Sequence, residues 1–148
     1  MNYDNLYREI KSLIDENCLA QGNIGNILSH VFYSIEDLYW VGIYLLVGNE
    51  LKLSQFIGKT ACTRIPLNKG VCGKAAAIKE IIVVDNVHEF EGHIACDSNS
   101  NSEIVLPLFI NHKLVGVFDI DSPKLNRFKD RHLIAFFKQV AILLEKYI

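Results

Sequence analysis

Two apolar stretches that each double back on themselves restrict the fold of this chain more than any other feature. From Leu38 to Val47, the residues Tyr39, Trp40, Val41, Ile43, Tyr44, Leu45 and Leu46 suit a pleated strand. Gly48-Asn49 signals a tight turn and Leu51, Leu53 and Phe56 continue the return, so residues 38–57 are predicted to form a hairpin. A second pair lies near the other end. Glu103 to Ile110 reads as a strand in which Pro107 implies an edge position or a bulge; Asn111-His112-Lys113 turns it, and Leu114 to Ile120 returns.

Helical periodicity flanks both hairpins. Residues 3–19 place Leu6, Ile10, Leu13 and Ile14 at helical spacing, with Cys18 at the end of the pattern as a core residue. Gln21-Gly22-Asn23 interrupts it, and Ile24, Ile27, Leu28, Val31 and Phe32 resume it with Asn23 as N-cap. From about Lys129 onward Leu133, Phe136, Phe137, Val140, Leu143, Leu144 and Tyr147 describe a C-terminal helix. Hairpins between terminal helices predict an α+β fold with helices packed on a sheet face. The other face needs cover from the middle of the chain, from a partner subunit or from water.

Length and charge narrow the function. A chain of 148 residues, half of them hydrophobic, is expected to be a single domain over 1–148 with a substantial core. A net charge of −2 with interspersed signs gives no polybasic field for nucleic acid or anionic lipid. The apolar runs are too short to span a bilayer, and Met1-Asn2-Tyr3-Asp4 does not open a signal peptide, so a cytoplasmic protein is expected.

The chemistry concentrates between Ala61 and Glu103. Residues 58–69 read as a loop with a short strand near Thr63–Ile65, Gly70 to Ile78 as a short helix, Ile81 to Val84 as a buried strand, and the stretch through Asn101 as irregular. Three of the four cysteines, Cys62, Cys72 and Cys96, share this segment. In a reducing compartment such grouping points to redox or metal chemistry rather than structural staples. Cys72 sits in the first turn of the predicted helix, where the helix dipole would favour a thiolate; on that ground alone it would be the nucleophile. Cys62, Cys72, His93 and Cys96 could be set against a zinc ion, but the spacing of Cys62 and Cys72 does not match paired structural zinc ligands, and no metal or other cofactor is expected.

Asp119 and Asp121 flank Ile120 and share a strand face by the period of two. Glu103 opens the preceding strand and is expected near them, although the register is open at this stage. Crowded, partly buried carboxyls have raised pKa values, so one of them is a candidate acid at neutral pH. Trp40 and Tyr44 share a face of the first strand, as core or as an aromatic wall.

Together, Ala61-Cys62-Thr63-Arg64-Ile65, Gly70-Val71-Cys72-Gly73, Gly92-His93-Ile94-Ala95-Cys96-Asp97, Asn101-Ser102-Glu103 and Asp119-Ile120-Asp121-Ser122 resemble the free methionine-(R)-sulfoxide reductase family, stand-alone GAF-domain enzymes. The resemblance runs from about Tyr3 to the C-terminus, with no departure at the cysteines, Glu103 or the aspartates. It implies a GAF fold, with a central antiparallel sheet of about six strands and helices packed on one face. It also implies thiol-dependent reduction of free methionine (R)-sulfoxide, thioredoxin as reductant and a homodimer. On the resemblance, Cys96 is the nucleophile with Cys62 or Cys72 resolving, Glu103 the acid, Asp119 and Asp121 the ammonium site, and Trp40 and Tyr44 the wall at the S-methyl end. The rival expectation is a GAF domain that senses a small molecule without turnover. A nucleotide-binding enzyme fits less well, because Gly70-Val71-Cys72-Gly73-Lys74 lacks phosphate-loop spacing.

Overall fold

The computed structural model describes residues 1–93 and 99–148. Helix α1, Tyr3–Ser12, starts where the Asn2 side chain accepts a hydrogen bond from the Asn5 N–H at 3.0 Å, with Asp4 in the first turn and Lys11 in the last complementing the dipole. Helix α2 covers Ala20–Ser34. It starts at Ala20, ahead of the predicted Asn23, so Asn23 is not the N-cap. Asn23 is 5% exposed; it accepts from the Asp15 N–H and donates to the Asp15 carbonyl, both at 3.0 Å, fixing the connection between α1 and α2. Cys18 lies in that connection rather than in a helix. It is exposed, not core, with its thiol 3.0 Å from an Asp15 carboxylate oxygen.

The strands follow as β1 (Trp40–Val47), β2 (Glu50–Ile57) and β3 (Arg64–Pro66). After them come helix α3 (Gly70–Ile78), β4 (Ile82–Val84) and a 3₁₀ turn at Val87–Glu89. The chain then runs through β5 (Ser102–Ile110) and β6 (Lys113–Ser122) to helix α4 (Arg131–Glu145), which Asp130 caps by accepting from the His132 N–H. All pairings are antiparallel, in one six-stranded sheet ordered β3-β2-β1-β6-β5-β4. Both predicted hairpins form, and Asn111 and His112 adopt positive φ between β5 and β6, as a two-residue turn that matches strand twist requires. Pro107 fits an inner strand because β4 pairs with β5 only at residues 103–105, so among the described residues no strand pairs with that flank of Pro107. A bulge follows between Leu108 and Phe109, and the Phe109 N–H donates to the Glu145 carboxylate on α4 at 2.6 Å.

Alternation along the strands divides the core in two. Val41, Ile43, Ile104, Leu106, Leu108, Phe118 and Ile120 face one way and are buried with the apolar stripes of α1, α2 and α4. Tyr44, Val105, Val117 and Leu51 face the other way and are buried with Val71, Ala75 and Ala76 of α3. The middle segment supplies the second cover, as one of the sequence expectations had it. Among the described residues no helix is long and apolar enough to cross a membrane.

Candidate functional site

The α3-facing side of the sheet carries the acidic residues. Glu103 pairs with Asp121, Trp40 pairs with Asp121 on the opposite flank, and Gly42 pairs with Asp119. That register, which the sequence left open, brings Glu103, Asp119 and Asp121 to one end of the sheet face. Glu103 and Asp119 are 6% and 5% exposed. Helix α3 crosses above them and lowers Cys72 from its first turn, with the thiol sulfur 3.8 Å from Glu103 Oε2.

Burial raises the pKa of Glu103, Asp119 and Cys72. Burial, then the neighbouring Asp119 carboxyl, pushes Glu103 well above the usual carboxylate range. Burial and then Asp121 raise Asp119 to about 8. Burial, followed by Asp119, Glu103 and Asp121, raises the Cys72 thiol well above its ordinary value. The expectation that the helix start would make Cys72 a thiolate therefore fails. A helix terminus contributes at most about 2 kcal/mol, whereas burying an anion costs several. Asp119 Oδ1 is buried and has no hydrogen-bond partner among the described residues.

An aromatic wall stands beside the acids. Trp40 stacks on Tyr44 at 5.9 Å between ring centroids and on Phe56 at 5.3 Å. Its indole N–H donates to the Lys59 carbonyl, and the Tyr44 hydroxyl donates to the Cys62 carbonyl, each at 3.0 Å. Gly42 was missed in the sequence. The indole lies across it, and a Cβ there would come within 2.5 Å of both Trp40 and Phe56. A glycine between two aromatic residues on one strand face was the available signal.

Trp40, Tyr44, Cys72, Glu103, Asp119 and Asp121 line a cavity of about 50 Å³, joined by Thr60, Lys69, His93 and Ser100. Lys69 and Ser100 were not singled out in the sequence: one reads as an ordinary loop cation, the other as part of a polar run. Burial, then His88, lowers the pKa of His93.

Cys62 is disulfide-bonded, and Cys18 and Cys72 are free thiols. In this state Cys62 offers no thiolate to the zinc set weighed above. Cys96 lies outside the described residues, so the assignment of the nucleophile falls there too. The chain is anchored on either side of 94–98. The Gly70 N–H donates to the Gly92 carbonyl at 3.2 Å; on the other side, the Asn101 N–H donates to the Ser122 carbonyl and its side chain to the Pro123 carbonyl, both at 2.8 Å.

Residues 31–148 match the model of the GAF domain family. The chain is 40% identical to the free methionine-R-sulfoxide reductase of Escherichia coli strain K12, over 93% of this chain and 87% of that one. Its fold superposes with a TM-score of 0.91 on the reduced form of the Staphylococcus aureus fRMsr, at 41% identity, covering 99% of this chain and 94% of that one. It superposes with a TM-score of 0.90 on the free methionine-R-sulfoxide reductase of Neisseria meningitidis in complex with its substrate, at 37% identity, covering 98% and 87%.

Proposed function

This chain belongs to the free methionine-R-sulfoxide reductase family of GAF-domain proteins, and we propose that it reduces free L-methionine (R)-S-oxide to L-methionine at the cavity between α3 and the sheet. The buried Glu103 carboxyl on the cavity lining, pushed above the usual carboxylate range, carries the reading. Attack on a sulfoxide sulfur needs a proton delivered to its oxygen, and a carboxyl whose pKa burial has raised is placed to supply it.

In the proposed sequence the Cys96 thiolate attacks the sulfoxide sulfur while Glu103 protonates the departing oxygen. The hydroxyl passes to the Cys96 sulfur as the bond between the two sulfurs breaks, so methionine leaves and Cys96 becomes a sulfenic acid. Cys62 then attacks that sulfur and expels water, leaving an intramolecular disulfide. One sulfoxide and two thiols thus become one thioether, one disulfide and one water. The disulfide at Cys62, with Cys72 left free, supports Cys62 as the resolving thiol. A thioredoxin dithiol would restore both thiols by exchange. The homodimer and the cytoplasmic setting implied by the resemblance belong to the same proposal.

Asp119 and Asp121 would hold the substrate's α-ammonium. Burial raises the pKa of Asp119 to about 8, and an arriving cation favours its charged form. A residue inside a peptide lacks this ammonium, which explains a preference for the free amino acid. Trp40 and Tyr44 would pack against the S-methyl group.

The test is turnover with thioredoxin, its reductase and each free epimer, following oxidation of the reduced nicotinamide. Consumption with the (R) epimer alone supports the proposal. No turnover of either epimer by folded, reduced protein overturns it in favour of a small-molecule sensor.

A further inference from the structure

The side chains of Cys72, Glu103 and Asp119 arrive from α3, β5 and β6, and one ligand atom from each lies within 4.8 Å of the other two. All three residues are buried. Tetrahedral zinc with bonds of about 2.3 Å to sulfur and about 2.0 Å to oxygen separates those atoms by about 3.5 Å. The 3.8 Å between the Cys72 sulfur and Glu103 Oε2 is close to that span. A separate observation points to a missing partner: among the described residues nothing hydrogen-bonds the buried Asp119 Oδ1, and Asp119 lines the cavity. A buried carboxylate oxygen left in that condition costs free energy that a bound cation recovers.

We propose that Cys72, Glu103 and Asp119 form a binding site for zinc or a cation of similar softness, and that zinc bound there blocks sulfoxide reduction. The ligand types choose the metal. A thiolate beside two carboxylates suits zinc, whereas magnesium and calcium prefer oxygen alone. Three protein ligands leave a fourth position facing the cavity, the pattern of an open zinc site. As the metal binds, the protons held by the Cys72 thiol and by the Glu103 and Asp119 carboxyls pass to solvent. The metal takes the acid Glu103 and the ammonium ligand Asp119 together, so inhibition follows from binding. The inhibitory part rests on the function proposed above; the binding part does not.

The experiment uses the full chain in its Cys62 disulfide form. It carries Cys18→Ser, because the exposed Cys18–Asp15 pair is a second place for a soft metal. Titration with cobalt(II) should give a thiolate-to-cobalt charge-transfer absorption that saturates at one equivalent and is displaced by zinc. Adding Cys72→Ser should abolish the band, and Asp119→Asn should weaken binding by about tenfold or more, as expected when a metal site loses a determinant. Absence of the band in folded protein overturns the site, as does a band unaffected by Cys72→Ser or an affinity unaffected by Asp119→Asn. The band together with zinc inhibition that rising (R)-sulfoxide relieves supports both parts. The band in a protein that turns over neither epimer keeps the metal site and removes the reductase reading.

Discussion

At the residue scale, protonation follows from burial more than from any neighbouring dipole. Glu103 is the clearest instance: its carboxyl lies against Cys72, Asp119 and Asp121, and burial is the largest cause of its raised pKa. Replacing it by Gln keeps shape and hydrogen bonding but removes the transferable proton. Glu103→Gln should slow single-turnover methionine formation by about 10²- to 10⁴-fold with substrate affinity little changed; rapid quench and equilibrium binding measure the two. Asp119 yields a prediction of a different kind. Its carboxyl titrates near 8 in the folded chain against an ordinary value of 3.8, so between those values the folded state binds the extra proton. The contribution of Asp119 to stability is therefore present below the ordinary value and lost as pH rises toward 8, by at most about 1.4 kcal/mol per pH unit. Asp119→Asn should flatten the fall in unfolding free energy between pH 5 and 8 measured with urea, where those bounds are about the window just derived. An unaltered slope would contradict the shift. That carboxyls on one strand face would be acidic candidates was legible from the period of two. That Cys72 would be held as a thiol was not, because the three acids beneath it come from strands distant in sequence.

At the scale of the element, boundaries slipped where side chains make long-range rather than local bonds. Leu19, which precedes α2, offers no capping side chain, so Asn23 was the better local candidate for the helix start. Its amide instead bonds backbone across the connection. Asn23→Ala should cost about 1–3 kcal/mol through two lost hydrogen bonds and an unpaired Asp15 backbone, read by urea denaturation, and should leave kcat/KM unchanged. In β1, Gly42 makes room for the indole. Gly42→Ala should displace Trp40, lower Tm by several degrees as an overpacked site of about 1–3 kcal/mol does, and raise KM more than it lowers kcat. A KM at the parent value would show that Trp40 does not bound the substrate.

For the whole molecule, the sheet is a partition. One face packs with α1, α2 and α4, while the other, under α3, carries the cavity. A ligand in the cavity stabilises the folded chain by mass action, about 2.7 kcal/mol at a hundredfold excess over Kd. In a Cys96→Ser protein, which cannot turn over in the proposed scheme, free (R)-sulfoxide should raise Tm, and N-acetylated sulfoxide, lacking the ammonium, should not. A shift of equal size with both would remove Asp119 and Asp121 from substrate binding. The sequence alone determined the two hairpins, the helices α1 and α4 in outline, α3 with Cys72 in its first turn, and the shared face of Asp119 and Asp121. Periodicity and turn chemistry are local, and each of these can be read within a few residues. Only the tertiary structure decided the register that sets Glu103 opposite Asp121, the descent of Cys72 onto the acids, and the tilt of Trp40 over Gly42. Those depend on which strands lie side by side and how much water they exclude, and no short stretch of chain carries that information.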